Sequence, residues 1–287
     1  MIVFVPRLSS RGPRGMSNTG SPKHQGSATE DFETTGRETD RTLVLAVDTA
    51  TDARSVCVAR GRETLSLVKE VQTKAGASVV LSVIDEALRS AGVKFEELEL
   101  FAVAVGPGSF TGIRAGVATV KAFAAMTNRP VAPVPTLYAV ALSAGPSAAT
   151  CAAIPAGRGE VFTQLLAVEA GGAVRELSDA AHVSPARLLE TAAARGGSLK
   201  WAGGGAWAHR ELIAESARRA GRDWLESSDA GQTTVADGRH AWSLAPRAES
   251  YGEQIARLGL ISTKKGEGVC ADEVRAQYVR PSDAELK

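Results

Sequence analysis

Cysteine and long apolar runs are scarce in this chain of 287 residues. Cys57, Cys151 and Cys270 form no C-x-x-C pair and their number is odd, so neither a disulfide framework nor a zinc site is indicated. No run approaches the roughly 18 apolar residues of a membrane span, and the apolar start at residues 1–5 is too short for the core of a signal peptide. These absences favour a cytoplasmic protein with reduced thiols and no membrane partner.

An excess of charge of one sign is also lacking, because 33 Lys and Arg face 32 Asp and Glu. The overall charge therefore gives no reason to expect nucleic acid or an anionic membrane as a direct partner. The four histidines, His24, His182, His209 and His240, are too far apart for a metal-binding pair on one helix. Neither H-E-x-x-H nor a Ser, His and Asp grouping is found, which makes a peptidase the weakest functional class.

The most informative segment present is residues 102–116, AVAVGPGSFTGIRAG. Val103 and Val105 belong to an apolar strand that starts at Leu100, and the Gly-Pro-Gly run ends it. A helix is predicted to begin near Phe110, with Ser109 as its N-cap. The segment is thus a strand-to-helix turn rich in glycine.

Such a turn has two interpretations. Backbone N–H groups and the positive end of the helix can bind phosphate there. Known phosphate motifs do not fit, because Gly112 is followed by Ile113 instead of a lysine and Thr111 stands where a dinucleotide motif has glycine. The alternative is that Gly106, Gly108 and Gly112 allow a tight turn and close packing of the backbone.

The run GPGSFTGIRAG, together with LAVDTATDARSVCVA at residues 45–59, resembles the TsaB family of tRNA threonylcarbamoyladenosine biosynthesis proteins. A weaker likeness continues through residues 157–162, 203–206 and 274–280. The resemblance covers residue 41 to the end. Residues 1–40 are polar, lack apolar periodicity and are predicted to form a disordered extension.

The order of predicted elements agrees with this resemblance. Strands at 43–48, 54–60 and 64–71, a helix at 78–91, a strand at 100–105 and a second helix give the order βββαβα. That order is typical of half of an actin, Hsp70 or sugar-kinase fold. The resemblance implies an α/β protein of two ribonuclease H-like halves, the second reduced, in domains at 41–144 and 145–287.

The second half has its own predicted elements. A helix is expected at 136–143, with strands at 150–154, 160–168 and 199–202. Ser184 and Pro185 are the N-cap and first residue of a further helix. Later helices are expected near Leu212 and Ile255.

Asp48 ends the first strand, where the broad fold holds a nucleotide-bound metal, so it is the best ligand candidate. Local hydrogen bonds to the backbone are the competing interpretation. Relatives carry an aspartate where this chain has Pro155, so Asp48 lacks an evident carboxylate partner. We therefore expect no metal site and no cofactor, and only vestigial nucleotide loops at Asp48, Thr49, Thr51, Gly106, Gly108 and Ser109.

Catalysis is not expected either. The catalytic paralogue TsaD carries a metal-binding histidine pair on the helix that corresponds to residues 78–91, and here that helix has no histidine. No catalytic residue is assigned. The alternative is a small nucleotide-dependent ATPase or kinase that uses Asp48 and the loop at 106–112.

The helix after the glycine-rich turn has an apolar stripe and a second stripe of small residues. Small residues permit close approach of another helix, inside the chain or in a partner. The resemblance implies that TsaD packs against the first-domain helices in a helical bundle. The predicted partner surface is lined by Val83, Ala87, Gly112, Ala115, Thr119 and Ala122.

The resemblance thus implies a scaffold or dimerisation subunit. Its complex forms N6-threonylcarbamoyladenosine in tRNAs that read codons beginning with A. The implied partners are a TsaD-like catalytic subunit, which this chain activates, and a TsaE-like ATPase, and a homodimer is the competing assembly. Contact with tRNA is expected only through the complex.

Overall fold

The computed structural model describes residues 40–69, 77–226 and 240–279, and for residues 77 and 78 it describes the backbone alone. The predicted disordered extension lies outside these residues except for Asp40. Asp40 is held by Thr42, whose N–H donates to its carboxylate, and by an ion pair with Lys264. No helix within the described ranges is long and apolar enough to cross a membrane.

The first sheet has five strands in the order β3-β2-β1-β4-β5. They are β1 (Leu43–Asp48), β2 (Ser55–Arg60), β3 (Glu63–Lys69), β4 (Leu100–Gly106) and β5 (Val131–Pro135). β1, β4 and β5 are parallel, whereas β2 is antiparallel to both of its neighbours. Every residue of β4 is buried, as its continuous apolar sequence predicts for a central parallel strand.

Four helices pack on this sheet: α1 (Ala77–Ala91), α2 (Phe110–Thr127), α3 (Thr136–Ser143) and α7 (Gly252–Lys264). Phe101 of β4 packs with Phe95 and with Phe123 of α2. A Cβ at Gly259 of α7 would lie 2.7 Å from the Cβ of Ala102. Because neighbouring strand residues point to opposite faces, α2 and α7 cover opposite faces of the sheet.

The second sheet has seven strands. They are β6 (Ser147–Gly157), β7 (Glu160–Val168), β8 (Val174–Glu176), β9 (Ala181–Val183), β10 (Leu199–Ala202), β11 (Asp223–Glu226) and β12 (Ala241–Leu244). The order is β11-β12-β10-β6-β7-β8, and β9 also pairs with β7. Helices α4 (Pro185–Arg195), α5 (Gly204–Ala208) and α6 (Arg210–Arg219) complete this half. The fully buried Trp201 and Trp242 form its centre, with ring centroids 5.2 Å apart.

Most predicted elements are confirmed, including the N-caps Ser109 and Ser184. One omission is β5, because residues 131–135 contain two prolines and no strand was predicted there. Proline is tolerated at the edge of a sheet, where an N–H group is not needed for pairing, and β5 is the edge strand. The division into domains at 144 and 145 stays a prediction, and α7 from the later range packs on the first sheet.

Candidate functional site

Asp48 ends β1 and its side chain is buried in the loop that follows. Its Oδ1 accepts hydrogen bonds from the N–H groups of Ala50 at 2.9 Å and Thr51 at 3.3 Å, and its Oδ2 accepts one from the Thr51 hydroxyl at 2.6 Å. Burial raises the pKa of Asp48 to about 6, although these hydrogen bonds act in the opposite direction. The Asp48 carboxylate therefore stabilises the loop that contains it, as the interpretation by local hydrogen bonds to the backbone predicted.

The glycine-rich turn packs against the same loop. The N–H of Ser109 donates to the carbonyl oxygen of Ala50 at 2.7 Å, and the Ser109 hydroxyl oxygen accepts from the N–H of Gly112 at 3.2 Å. A Cβ at Gly108, which has φ of +154°, would lie 2.2 Å from that same carbonyl oxygen. These contacts favour close backbone packing over anion binding as the reason for glycine here.

The first turns of α2 continue this packing. A Cβ at Gly116 would lie 2.3 Å from the Oγ1 of Thr49, and Gly112 is similarly confined by the Thr49 carbonyl. Both Thr49 and Thr51 are buried. The candidate residues Asp48, Thr49 and Thr51 and the glycines are thus brought together, as the resemblance implied, but in contact with one another.

A C-terminal segment covers the other side of the turn. The N–H of Gln277 donates to the carbonyl oxygen of Val105 at 2.7 Å. Gly106 has φ of +120°, and a Cβ there would lie 2.2 Å from the carbonyl oxygen of Gln277. No local sequence signal links these segments, so this contact was not predicted.

A cleft of about 470 Å³ opens beside the loop and the turn. Its wall from the second sheet is the end of β6, with Pro155, and Phe162 of β7. Asp52 also lines the cleft, and its Oδ2 lies 3.9 Å from the Nη2 of Arg247. Sequence analysis missed Asp52, Phe162 and Arg247 as neighbours of this site; only Asp52, inside the D-T-A-T-D run, carried a local signal.

The cleft residues do not fit the nucleotide-bound metal that the fold implies. Both oxygens of Asp48 accept hydrogen bonds from its own loop, Pro155 supplies no carboxylate opposite, and Asp52 faces an arginine. No group of three His, Cys, Asp or Glu side chains within the described ranges could hold a metal ion. We therefore derive no chemical step through such a group.

The residues predicted for a partner surface fall into two sets. Ala122 is exposed and Val83 and Ala115 are half-buried, so these three are accessible on α1 and α2. Ala87 and Gly112 are buried inside the chain, which corrects their assignment to an exposed surface. The carbonyl of Ala87 accepts a hydrogen bond from Ser66, and that of Gly112 from Thr49.

Thr119, the remaining member of that set, is only 8% exposed. Its hydroxyl donates to the carbonyl oxygen of Ala115 at 2.8 Å. One edge of the small-residue stripe thus packs within the chain, and the other edge is exposed to solvent.

The family model for TsaD, tRNA N6-adenosine threonylcarbamoyltransferase, matches residues 67–219, which is more than half of the chain. The chain belongs to the TsaD family. Within it, the chain is similar to TsaB (YeaZ) proteins, as the two sequence motifs predicted.

Those relatives include TsaB of Haemophilus influenzae, which is 35% identical over 102 residues, or 35% of this chain and 42% of that protein. TsaB of Escherichia coli is 31% identical over 122 residues, or 42% of this chain and 52% of that protein. A tRNA N6-adenosine threonylcarbamoyltransferase of Methylobacterium sp. is 36% identical over 39% of this chain and 34% of its own length. The chain spans about half or less of the curated relatives it matches.

Solved structures extend the likeness to most of the described fold. A Pseudomonas aeruginosa protein described as similar to peptidase YEAZ has a TM-score of 0.65 and 25% identity, over 83% of this chain and all of that one. YeaZ from Pseudomonas aeruginosa has a TM-score of 0.61 at 24% identity over the same shares. The prediction of an α/β fold with two sheets is confirmed.

Proposed function

We propose that this chain is a non-catalytic subunit of the complex that forms N6-threonylcarbamoyladenosine in tRNAs reading codons that begin with A. Its principal partner is a TsaD-like catalytic subunit in the cytoplasm, and a TsaE-like ATPase joins the pair. Support comes from the TsaB relatives, whose name states a role in threonylcarbamoyladenosine biosynthesis. The family match to a threonylcarbamoyltransferase supports the same pathway.

One observation carries the non-catalytic part of this proposal. The loops that a catalytic relative would use for nucleotide and metal are bound to each other through the hydrogen bonds of Thr49 and Ser109, and Asp48 is bound within its own loop. Helix α1, which corresponds to the metal-binding helix of TsaD, contains no histidine. A rigid loop pair of this kind supports a scaffold better than it supports catalysis.

Activation would then work through binding energy. A subunit that contacts only the competent arrangement of TsaD shifts the population of TsaD toward that arrangement. The accessible edge of the small-residue stripe, with Val83, Ala115 and Ala122, provides a surface on which a partner helix could pack closely.

The test is light scattering on a sizing column, with the chain alone and mixed with the TsaD-like protein of the same genome. We expect a stable mixed species, and threonylcarbamoyl transfer to tRNA only when the TsaD-like protein is present. If the two proteins elute separately both with and without nucleotide, the proposed scaffold function is overturned. If this chain forms a dimer that does not bind the TsaD-like protein, self-association is its only assembly.

The cleft of about 470 Å³ favours one alternative, a small ATPase or kinase of the same fold. Calorimetry with magnesium-ATP separates the two functions. We expect no binding in the micromolar range for a scaffold. Tight magnesium-dependent binding that is lost in Asp48→Ala would support the enzyme instead.

A further inference from the structure

An exposed aromatic and cationic cluster lies where the C-terminal segment meets the start of α2. The side chains of Phe110 and Tyr278 are 54% and 50% exposed, and their ring centroids are 5.3 Å apart. The Cζ of Arg114 lies 3.9 Å from the centroid of the Phe110 ring, and its Nε donates to the Tyr278 hydroxyl at 3.3 Å. The guanidinium thus lies over the Phe110 ring and is hydrogen-bonded to the Tyr278 hydroxyl, and both rings remain half exposed to solvent.

The C-terminal segment extends this cluster along α2. The ammonium group of Lys121 donates to the carbonyl oxygen of Val274 at 3.4 Å, and the Val274 side chain is buried. Arg114 and Lys121 are seven positions apart on the helix, a rise of about 10.5 Å. The four steps from Val274 to Tyr278 span about 13 Å in an extended segment, so the segment follows the helix over this distance. We call Phe110, Arg114, Lys121, Arg275 and Tyr278 the α2 strip.

The cations of the α2 strip differ in their partners from three arginines on other helices. Arg89, Arg187 and Arg219 each form an ion pair with a carboxylate on their own helix. Within the described ranges, none of the three cations of the strip forms an ion pair with a carboxylate. Arg275 donates to backbone carbonyls of its own turn, and the nearby Glu273 carboxylate accepts from the N–H of Cys270. Among the residues that the structure describes, the positive charge of the strip is therefore not neutralised by a carboxylate.

We propose that the α2 strip binds a segment of single-stranded RNA. Exposed aromatic rings and the face of an arginine are surfaces on which unpaired bases stack, and Phe110, Arg114 and Tyr278 supply them. Lys121 and Arg275 lie farther along the strip, where phosphates of the following nucleotides would pass. Only the identification of this RNA as the tRNA substrate rests on the proposed function.

Position on the helix makes RNA a better occupant than the partner subunit. Successive residues of an α-helix are about 100° apart, so Arg114 and Lys121 form one row and Ala115 and Ala122 form another, rotated by that angle. A helix packed on the alanine row would leave the α2 strip accessible. Complementary charge then favours a polyanion on the cationic row.

The experiment uses the full chain and a fluorescein-labelled RNA of twelve nucleotides of mixed sequence, followed by fluorescence anisotropy. We expect Tyr278→Ala to weaken binding about tenfold, because loss of one stacking platform has an effect of this order. Arg114→Gln should weaken binding to a similar degree, because it removes the guanidinium face on which a base stacks. Matched controls are Arg187→Gln, which removes an exposed arginine from α4, and Leu212→Ala, which removes an exposed apolar side chain from α6. Both controls should bind like the parent.

Three results would overturn the proposal. The first is that the parent chain binds no RNA. The second is that the two strip variants bind as tightly as the controls while keeping the parent melting temperature. The third is that AMP alone displaces the RNA when both ligands are present at concentrations that occupy the same fraction of the protein, which would indicate a pocket for a single nucleotide. Pairing with the TsaD-like protein is measured separately on the sizing column. If the strip variants lose pairing but keep their RNA affinity, the strip belongs to the protein interface. If the parent chain does not pair with the TsaD-like protein but binds RNA through the strip, the proposed function fails and the RNA site remains supported.

Discussion

The Oγ1 of Thr49 donates a 2.7 Å hydrogen bond to the carbonyl oxygen of Gly112, and a Cβ at Gly112 would lie 1.9 Å from the carbonyl oxygen of Thr49. The loop after β1 and the first turn of α2 are therefore in direct backbone contact. The contact joins residues 63 positions apart in the sequence. It fixes the floor of the cleft, since Ala50, Thr51 and Ser109 beside it line that cleft.

Gly112→Ala should destabilise the fold by roughly 1–3 kcal/mol, the cost typical of overpacking. The added methyl group meets backbone on the facing loop, which cannot move aside as a flexible side chain would. Alanine is intrinsically better than glycine inside a helix by about 1 kcal/mol, so the clash decides the sign. Urea unfolding monitored by circular dichroism measures the change.

The matched control is Gly171→Ala, because Gly171 is exposed and a Cβ there meets nothing within 4 Å. Its free energy of unfolding should stay within about 0.5 kcal/mol of that of the parent. A Gly112→Ala protein that is as stable as the parent would refute the close-packing interpretation of the glycine-rich turn.

The sequence predicts the first sheet well because each of its inner strands is a short apolar run with its own boundary signals. It fails for β12 and its neighbour β11, which have four residues each and no periodicity. Trp242 of β12 is buried by packing on Trp201 of β10, a contact between distant parts of the chain. Burial of that kind has no local signature, so these strands were missed.

The candidate site divides in the same way. The hydrogen bonds of Asp48 to Ala50 and Thr51 span two or three residues, and local rules predict them. The contacts of Thr49 with Gly112 and of Gln277 with Val105 depend on how whole elements pack. In the sequence, only the resemblance to the TsaB family related these two loops to each other.

Asp48→Asn should gain stability relative to the parent as the pH rises from 4 to 7. The folded pKa of Asp48, about 6, lies above its ordinary value of 3.8, so the folded state binds more protons between these values. Stability of the parent therefore decreases across this window, by up to roughly 3 kcal/mol for a shift of about two units. Asparagine does not titrate and keeps the oxygen that accepts from Ala50.

The measurement is the free energy of unfolding in urea at pH 4, 5.5 and 7 for both proteins. Asp85→Asn serves as the control, since Asp85 is an exposed carboxylate on α1, and its difference from the parent should vary little over this range. A difference between Asp48→Asn and the parent that is flat with pH would contradict the elevated pKa.

Only one of the three thiols should react quickly in the folded protein. Cys57 and Cys151 are buried, and burial raises the pKa of each to about 12, so at pH 8 almost none of either is thiolate, the reactive form. Cys270 is exposed. A thiol reagent such as Ellman's should titrate one group in buffer and three in denaturant, and Cys270→Ser should abolish the fast reaction.

Ala115→Glu should abolish pairing with the TsaD-like protein while the chain stays folded. Ala115 is half-buried on the open edge of α2, so a glutamate there can turn toward solvent in the free chain. In a packed helical interface the same carboxylate would be buried without a partner, which typically costs about 3 kcal/mol or more. The dissociation constant should then rise by at least about a hundredfold.

Ala122→Glu tests the same row from an exposed position, so a folding defect at Ala115 cannot account for both results. Ala194→Glu on α4 adds the same charge to an exposed helical alanine outside the row and should leave pairing unchanged. Light scattering of each variant with the TsaD-like protein gives the outcome. If both alanine-row variants pair as the control does, the partner does not use this face of α2, and the scaffold must bind through another surface.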